Sequence, residues 1–126
     1  MDSKIFKDIL NYAIEKEVEA SVFYEATGDL AENPNIKKMF KEMSAVELKH
    51  KQVLENITEE SIDKYDFRNV PDLKIGDYMV DEDFRPDMNY QEVLILAIKR
   101  EEKAHQLYSD LAEKINDSEV KELFRL

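Results

Sequence analysis

The stretch "MFKEMSAVELKHKQVL", residues 39–54, carries Glu47 and His50 three positions apart inside an apolar run. Around it lie Ile36, Met39, Phe40, Met43 and Val46 before the pair, and Val53, Leu54 and Ile57 after it. Steps of three and four return to one face of an α-helix, so this reads as a helix with an apolar stripe. A carboxylate and an imidazole halfway along that stripe are out of place in an ordinary core. An ionised carboxylate buried among apolar groups is costly unless a cation or metal meets it.

Working outward, the same period appears before the stretch, from about Ser3 to Ala31, with the stripe Phe6, Leu10, Ala13, Glu17, Ala20, Tyr24 and Thr27. The break "NPN" at Asn33–Asn35 follows, with Asn33 suited to an N-cap and Pro34 to the first helical position. The second helix is expected over Pro34 to about Ile57. Residues 58–88 lose the period and hold two of the three prolines and one of the two glycines. So long a connection is unusual in a compact domain and is expected to be a crossover running the length of a bundle. Its Phe67, Val70, Leu73, Ile75, Tyr78 and Phe84 are the residues able to pack along that bundle. Asn89 to Glu92 forms a capping box that starts a third helix, expected to reach about Ile115 with the stripe Leu94, Ala97, Glu101, Ala104, Tyr108 and Leu111. "NDS" at Asn116–Ser118 breaks it, and "EVKELFRL" starts a fourth helix.

Composition narrows the function. The formal charge is −11, from 18 basic and 29 acidic side chains, which argues against nucleic acid or an anionic membrane as partner. No cysteine is present, which removes disulfides, thiolate metal sites and cysteine nucleophiles. The start "MDSKIFKDIL" lacks the apolar core of a signal peptide, and no run is long enough to span a membrane, so a cytoplasmic location is expected. With 126 residues the chain is expected to form a single domain, residues 1–126, with hairpin one at 3–57, the crossover at 58–88 and hairpin two at 89–126.

Sliding the chain on itself by 84 positions aligns Ala13 with Ala97, Glu17 with Glu101, Ala20 with Ala104 and Tyr24 with Tyr108. Ile36 then meets Val120, Lys37 meets Lys121 and Phe40 meets Phe124. A shared period aligns apolar residues, but it does not also align the glutamates, the tyrosines and the "NPN" and "NDS" breaks. Two copies of one helical hairpin are therefore expected. The fold class is all-α, a four-helix bundle of two repeated hairpins joined by a long crossover. The counterpart of Glu47 would lie five residues past Leu126, so the fourth helix is expected to be truncated in this chain.

Three helices thus each place a carboxylate on the inward stripe, Glu17, Glu47 and Glu101, with His50 beside Glu47. Residues three apart share a helix face, so Glu47 and His50 can point at one ion. Tyr24 and Tyr108, nearly two turns beyond Glu17 and Glu101, stand where a phenol reaches a carboxylate on a neighbouring helix. Plainer readings stay open at this point: lysine partners for Glu17 and Glu101, a core histidine, and two core tyrosines. A second Glu-x-x-His, Glu102 and His105 in "EEKAH", lies off the stripe and is read as solvated and peripheral.

These residues resemble the ferritin-like, rubrerythrin-type di-iron carboxylate family. The similar elements are "AIEKEVEASVFYEA", "MFKEMSAVELKHKQVL" and "AIKREEKAHQLYSDLA" on the first three helices. The resemblance implies a ferritin-like bundle holding two irons, with Mn or Zn as other metals that carboxylate-rich sites accept. It implies Glu17 as a terminal ligand of one iron together with His50, Glu47 as the bridge, and Glu101 as terminal on the other. Tyr24 and Tyr108 match tyrosines that family members place near those glutamates. The chain departs from the pattern in three places. The fourth-helix Glu-x-x-His is absent. Ala104 stands where rubrerythrins proper have a further glutamate. No cysteine is available for a rubredoxin centre, so the likeness is to the simpler domain.

The function so implied is a metal-binding protein acting as a ferroxidase or as a peroxide- or O2-reducing oxidoreductase supplied by an external electron donor. Two alternatives stand beside it: non-catalytic iron binding or storage, and a metal-free helical bundle that self-associates. Three helices leave an apolar groove, so a homo-oligomer formed through the bundle is also expected.

Overall fold

The computed structural model describes residues 3–61 and 73–114. The expected fourth helix, and Phe67 and Val70 of the crossover, lie outside the described residues. Three helices dominate: α1 (Ser3–Leu30), α2 (Pro34–Ser61) and α3 (Tyr90–Lys114). Among the described residues of the connection to α3, one 3-10 turn spans Ile75–Tyr78. Among the described residues there is no strand, and no helix is long and apolar enough to cross a membrane.

The helix starts follow the chemistry of their caps. Asn33 Oδ1 accepts from the backbone N–H of Asn35 at 2.8 Å and from that of Ile36 at 3.4 Å. At α3 the capping box closes in both directions: Glu92 N–H donates to Asn89 Oδ1 at 2.9 Å, and Asn89 N–H donates to Glu92 Oε1 at 3.2 Å. The second helix runs four residues past the expected Ile57, to Ser61, because Thr58–Ser61 contains neither proline nor glycine to stop it. Near the α1–α2 turn the helices approach closely at Gly28, where a Cβ would lie 3.4 Å from the Lys37 carbonyl oxygen.

The core has two apolar clusters with the charged residues between them. One joins Phe6, Leu10 and Ala13 of α1 to Leu54 and Ile57 of α2 and to Leu107, Tyr108 and Leu111 of α3. The other joins Ala20 and Tyr24 of α1 to Phe40 of α2 and to Val93 and Ala97 of α3. Early residues of α1 therefore meet late residues of both partners, so α2 and α3 each run antiparallel to α1 and parallel to each other. A parallel pair cannot be joined by a tight turn, which is the physical reason for the long crossover.

The described part of that crossover is a strap fastened to α3. Leu73 and Tyr78 are buried in the first cluster, and Phe84 packs on the second. Tyr78 OH donates to Asp110 at 2.5 Å, and Lys103 Nζ donates to the Asp77 carbonyl at 3.3 Å. Arg100 Nη2 donates to Asp83 Oδ1 at 3.1 Å and to the Glu82 carbonyl at 3.4 Å. Its guanidinium lies 4.7 Å over the Phe84 ring. Phe84 also stacks on Phe23 at 4.4 Å and meets Tyr24 edge-on at 5.7 Å. Phe84→Ala is expected to destabilise the metal-free protein by about 3 kcal/mol, the low end for a phenylalanine because the ring is only half-buried. Urea unfolding followed by circular dichroism measures it.

Candidate metal centre

Between the two clusters, Glu17 of α1 and Glu47 and His50 of α2 converge. Glu17 and Glu47 are each 5% exposed, and His50 is half-buried. One ligand atom from each of the three lies within 4.8 Å of the others. His50 Nδ1 stands 3.5 Å from Glu17 Oε2 and 3.8 Å from Glu47 Oε2. These are charge contacts rather than hydrogen bonds: Glu17 Oε2 and His50 Nδ1 are both buried without a hydrogen-bond partner. Two carboxylates against one imidazole leave this group of three short of positive charge among themselves even when His50 is protonated. Bare, facing donor atoms of oxygen and nitrogen, with a charge deficit, are what a bound cation would satisfy. The residues present fit a metal.

Tyr108 of α3 reaches across to α1, donating its phenol to Glu17 Oε1 at 2.5 Å. This holds one carboxylate oxygen and leaves the other turned toward His50. Burial first, then the charge of Glu17, keeps the Tyr108 phenol far above its ordinary pKa, so it remains a donor. A charge-assisted bond of this kind contributes about 2 kcal/mol. Tyr108→Phe is expected to cost that much in the metal-free state at neutral pH, measured by urea unfolding.

The repeat places Tyr24 in the equivalent role toward Glu101, and here the two halves differ. Tyr24 is 1% exposed, packed by Phe40 and Phe84, and its hydroxyl has no hydrogen-bond partner. Burial first, and then the charge of Glu101, push its pKa well up. Glu101 is outside the group of three. It lines the same cavity, about 350 Å³, with Glu17, Glu47, Tyr24 and Tyr108. It is exposed on one side, yet lost hydration on the cavity side raises its carboxyl above the ordinary value, with the charge of His50 opposing. His50 itself is raised, first by the polar contact with Glu17, against burial, and then by the charges of Glu17 and Glu101.

The second Glu-x-x-His does not join the cavity, and Glu102 and His105 are both exposed on α3. Sequence reasoning missed Arg100, which lines the cavity wall with its Nε and Nη1 buried and not hydrogen-bonded. Its neighbour Glu101 was the only local signal. What brings Arg100 inward is the strap, 16 to 18 residues away in sequence.

The family model described as Rubrerythrin matches residues 8–126. No curated protein and no solved structure matches the chain. The family match spans all four inward ligand candidates and both tyrosines. The chain belongs to the rubrerythrin family, whose members bind iron.

Proposed function

With membership of the rubrerythrin family as the premise, we propose that this chain is a non-haem iron protein of oxidoreductase type. Glu17, Glu47, His50 and Glu101 would hold the metal, and its chemistry would be oxidation of ferrous iron or reduction of O2 or peroxide. The observation that carries this reading is the pair of buried, facing atoms without a hydrogen-bond partner, Glu17 Oε2 and His50 Nδ1. A carboxylate-bound iron supplies one-electron chemistry and open positions for an oxygen ligand. The remaining work falls to the protein. Tyr108 orients Glu17, the two apolar clusters restrict water, and Tyr24 presents a neutral O–H donor to the cavity.

Glu101 stands apart from the other three, which suits a ligand that closes on a second ion. The same proposal includes an external electron donor for turnover. Association of copies through the bundle belongs to the same proposal.

Anaerobic titration of the protein with Fe²⁺, followed by exposure to O2 or peroxide, tests the reading. Saturable binding and repeated oxidant consumption with a supplied reductant are expected. Binding without repeated consumption would reduce the function to iron holding. No binding, with an unchanged melting temperature, would remove the metal altogether.

A further inference from the structure

One turn from the ligand cluster, α1 and α2 touch through two serines. Ser21 and Ser44 are each 4% exposed. Ser44 Oγ donates to the Ser21 carbonyl at 2.9 Å, and Ser21 Oγ lies 3.2 Å from the Ser44 carbonyl and 2.9 Å from Ser44 Oγ. Each hydroxyl, one bond beyond its Cβ, reaches the backbone of the opposite helix. The two backbones are therefore unusually close here, closer than larger side chains allow.

The position of this contact gives it significance. Ser21 follows Glu17 by four residues and Ser44 precedes Glu47 by three, so each serine shares a face with a ligand candidate. In the antiparallel pair they face each other immediately beside the Glu17–Glu47–His50 group. Serine is an indifferent helix former, and its hydroxyl ordinarily turns back on its own helix. Here both hydroxyls cross to the neighbour instead.

We propose that the Ser21–Ser44 pair is a positioning device that sets the α1–α2 separation at the metal ligands. The inference rests on the metal-binding reading above. Ligand atoms must fall within about 0.2 Å of the distances an ion requires, so helix spacing one turn away controls affinity. A methyl carbon needs about 3.5 Å from a neighbouring atom, where the serine oxygens accept 2.9 Å. Added methyl groups at this contact separate the helices by more than the ion tolerates, whereas removing the hydroxyl does not.

The experiment measures dissociation constants for Mn²⁺ by electron paramagnetic resonance and for Fe²⁺ anaerobically, in the parent and in three variants at position 44. Ser44→Val is expected to weaken binding by about tenfold or more, within the range found when supports of metal ligands are lost. Ser44→Thr, which keeps the hydroxyl, is expected to fall between parent and Val, and it carries the test if the Val variant does not fold. Ser44→Ala is expected to stay within about threefold of the parent. Phe6→Leu, at the far end of α1, supplies a comparable loss of melting temperature without touching the site. Parental affinity in the Val and Thr variants overturns the proposal. So does an equal loss in the Ala variant or in Phe6→Leu, which marks the effect as general destabilisation. A parent that binds neither metal defeats the metal reading itself, a result distinct from all of these.

Discussion

Glu47→Gln is expected to weaken Fe²⁺ or Mn²⁺ binding by at least about 100-fold while leaving the metal-free protein as stable as the parent or more so. Loss of an outer support of a metal ligand costs about 10- to 100-fold, so loss of a ligand itself belongs at the top of that range or beyond. The stability half follows from the charge balance. Glu17 and Glu47 are both buried and share a single imidazole. Replacing one carboxylate by an amide of the same shape removes a buried charge without opening a cavity. A ligand that stabilises only the loaded state shows this opposite response of affinity and metal-free stability. A buried glutamate kept for its ion pair would instead destabilise when changed. Paired isothermal titration and urea unfolding decide between them, and a loss of both together would return Glu47 to a structural role.

The second large effect is on pH, and its sign differs between the two states. His50 is raised above its ordinary value of about 6.5, chiefly by Glu17, with Glu101 adding and Lys49 and burial opposing. In the metal-free protein its contribution to stability is complete below about pH 6.5 and is lost as pH rises through the raised value. Glu101, also raised, acts in the same direction, because the folded state holds its proton more tightly than the unfolded chain does. The metal-free fold should therefore be more stable at pH 6 than at pH 8. Metal binding runs the other way. A ligating imidazole must give up its proton, so affinity falls about tenfold for each pH unit below the raised His50 value, for one proton displaced. His50→Gln is expected to make both profiles shallower, leaving the Glu101 contribution, and to weaken the site. Melting curves and Mn²⁺ titrations at pH 6, 7 and 8 measure the two slopes. Parallel slopes would mean that His50 is not at the metal.

Much of this was legible without coordinates, because helices write their buried face into the chain at a fixed period. Asn33, Pro34 and the Asn89–Glu92 box mark helix starts through local backbone chemistry, which needs no tertiary partner. Glu17, Glu47 and His50 stood out because charge on an apolar stripe is expensive wherever the stripe lands. The offset of 84 residues related the two hairpins, and the seven-residue spacing put Tyr108 on the face of Glu101, in reach of a carboxylate on a neighbouring helix; its phenol bonds Glu17.

Other features depend on contacts between segments distant in sequence, which carry no local signature. Arg100 is one step off the α3 stripe and reads as solvated until the strap brings Asp83 and Phe84 over it. Ser21 and Ser44 read as neutral small residues until the antiparallel register sets them face to face. The repeat also treats Tyr24 and Tyr108 as equivalent, yet only Tyr108 holds its glutamate, while Glu101 stays apart from the other three. A single sequence thus determined the main apolar face of each helix and the charges of Glu17, Glu47 and His50 set into it, through period and polarity. Only the tertiary structure decided how close they come, because sub-ångström spacing is set by the packing of neighbouring backbones.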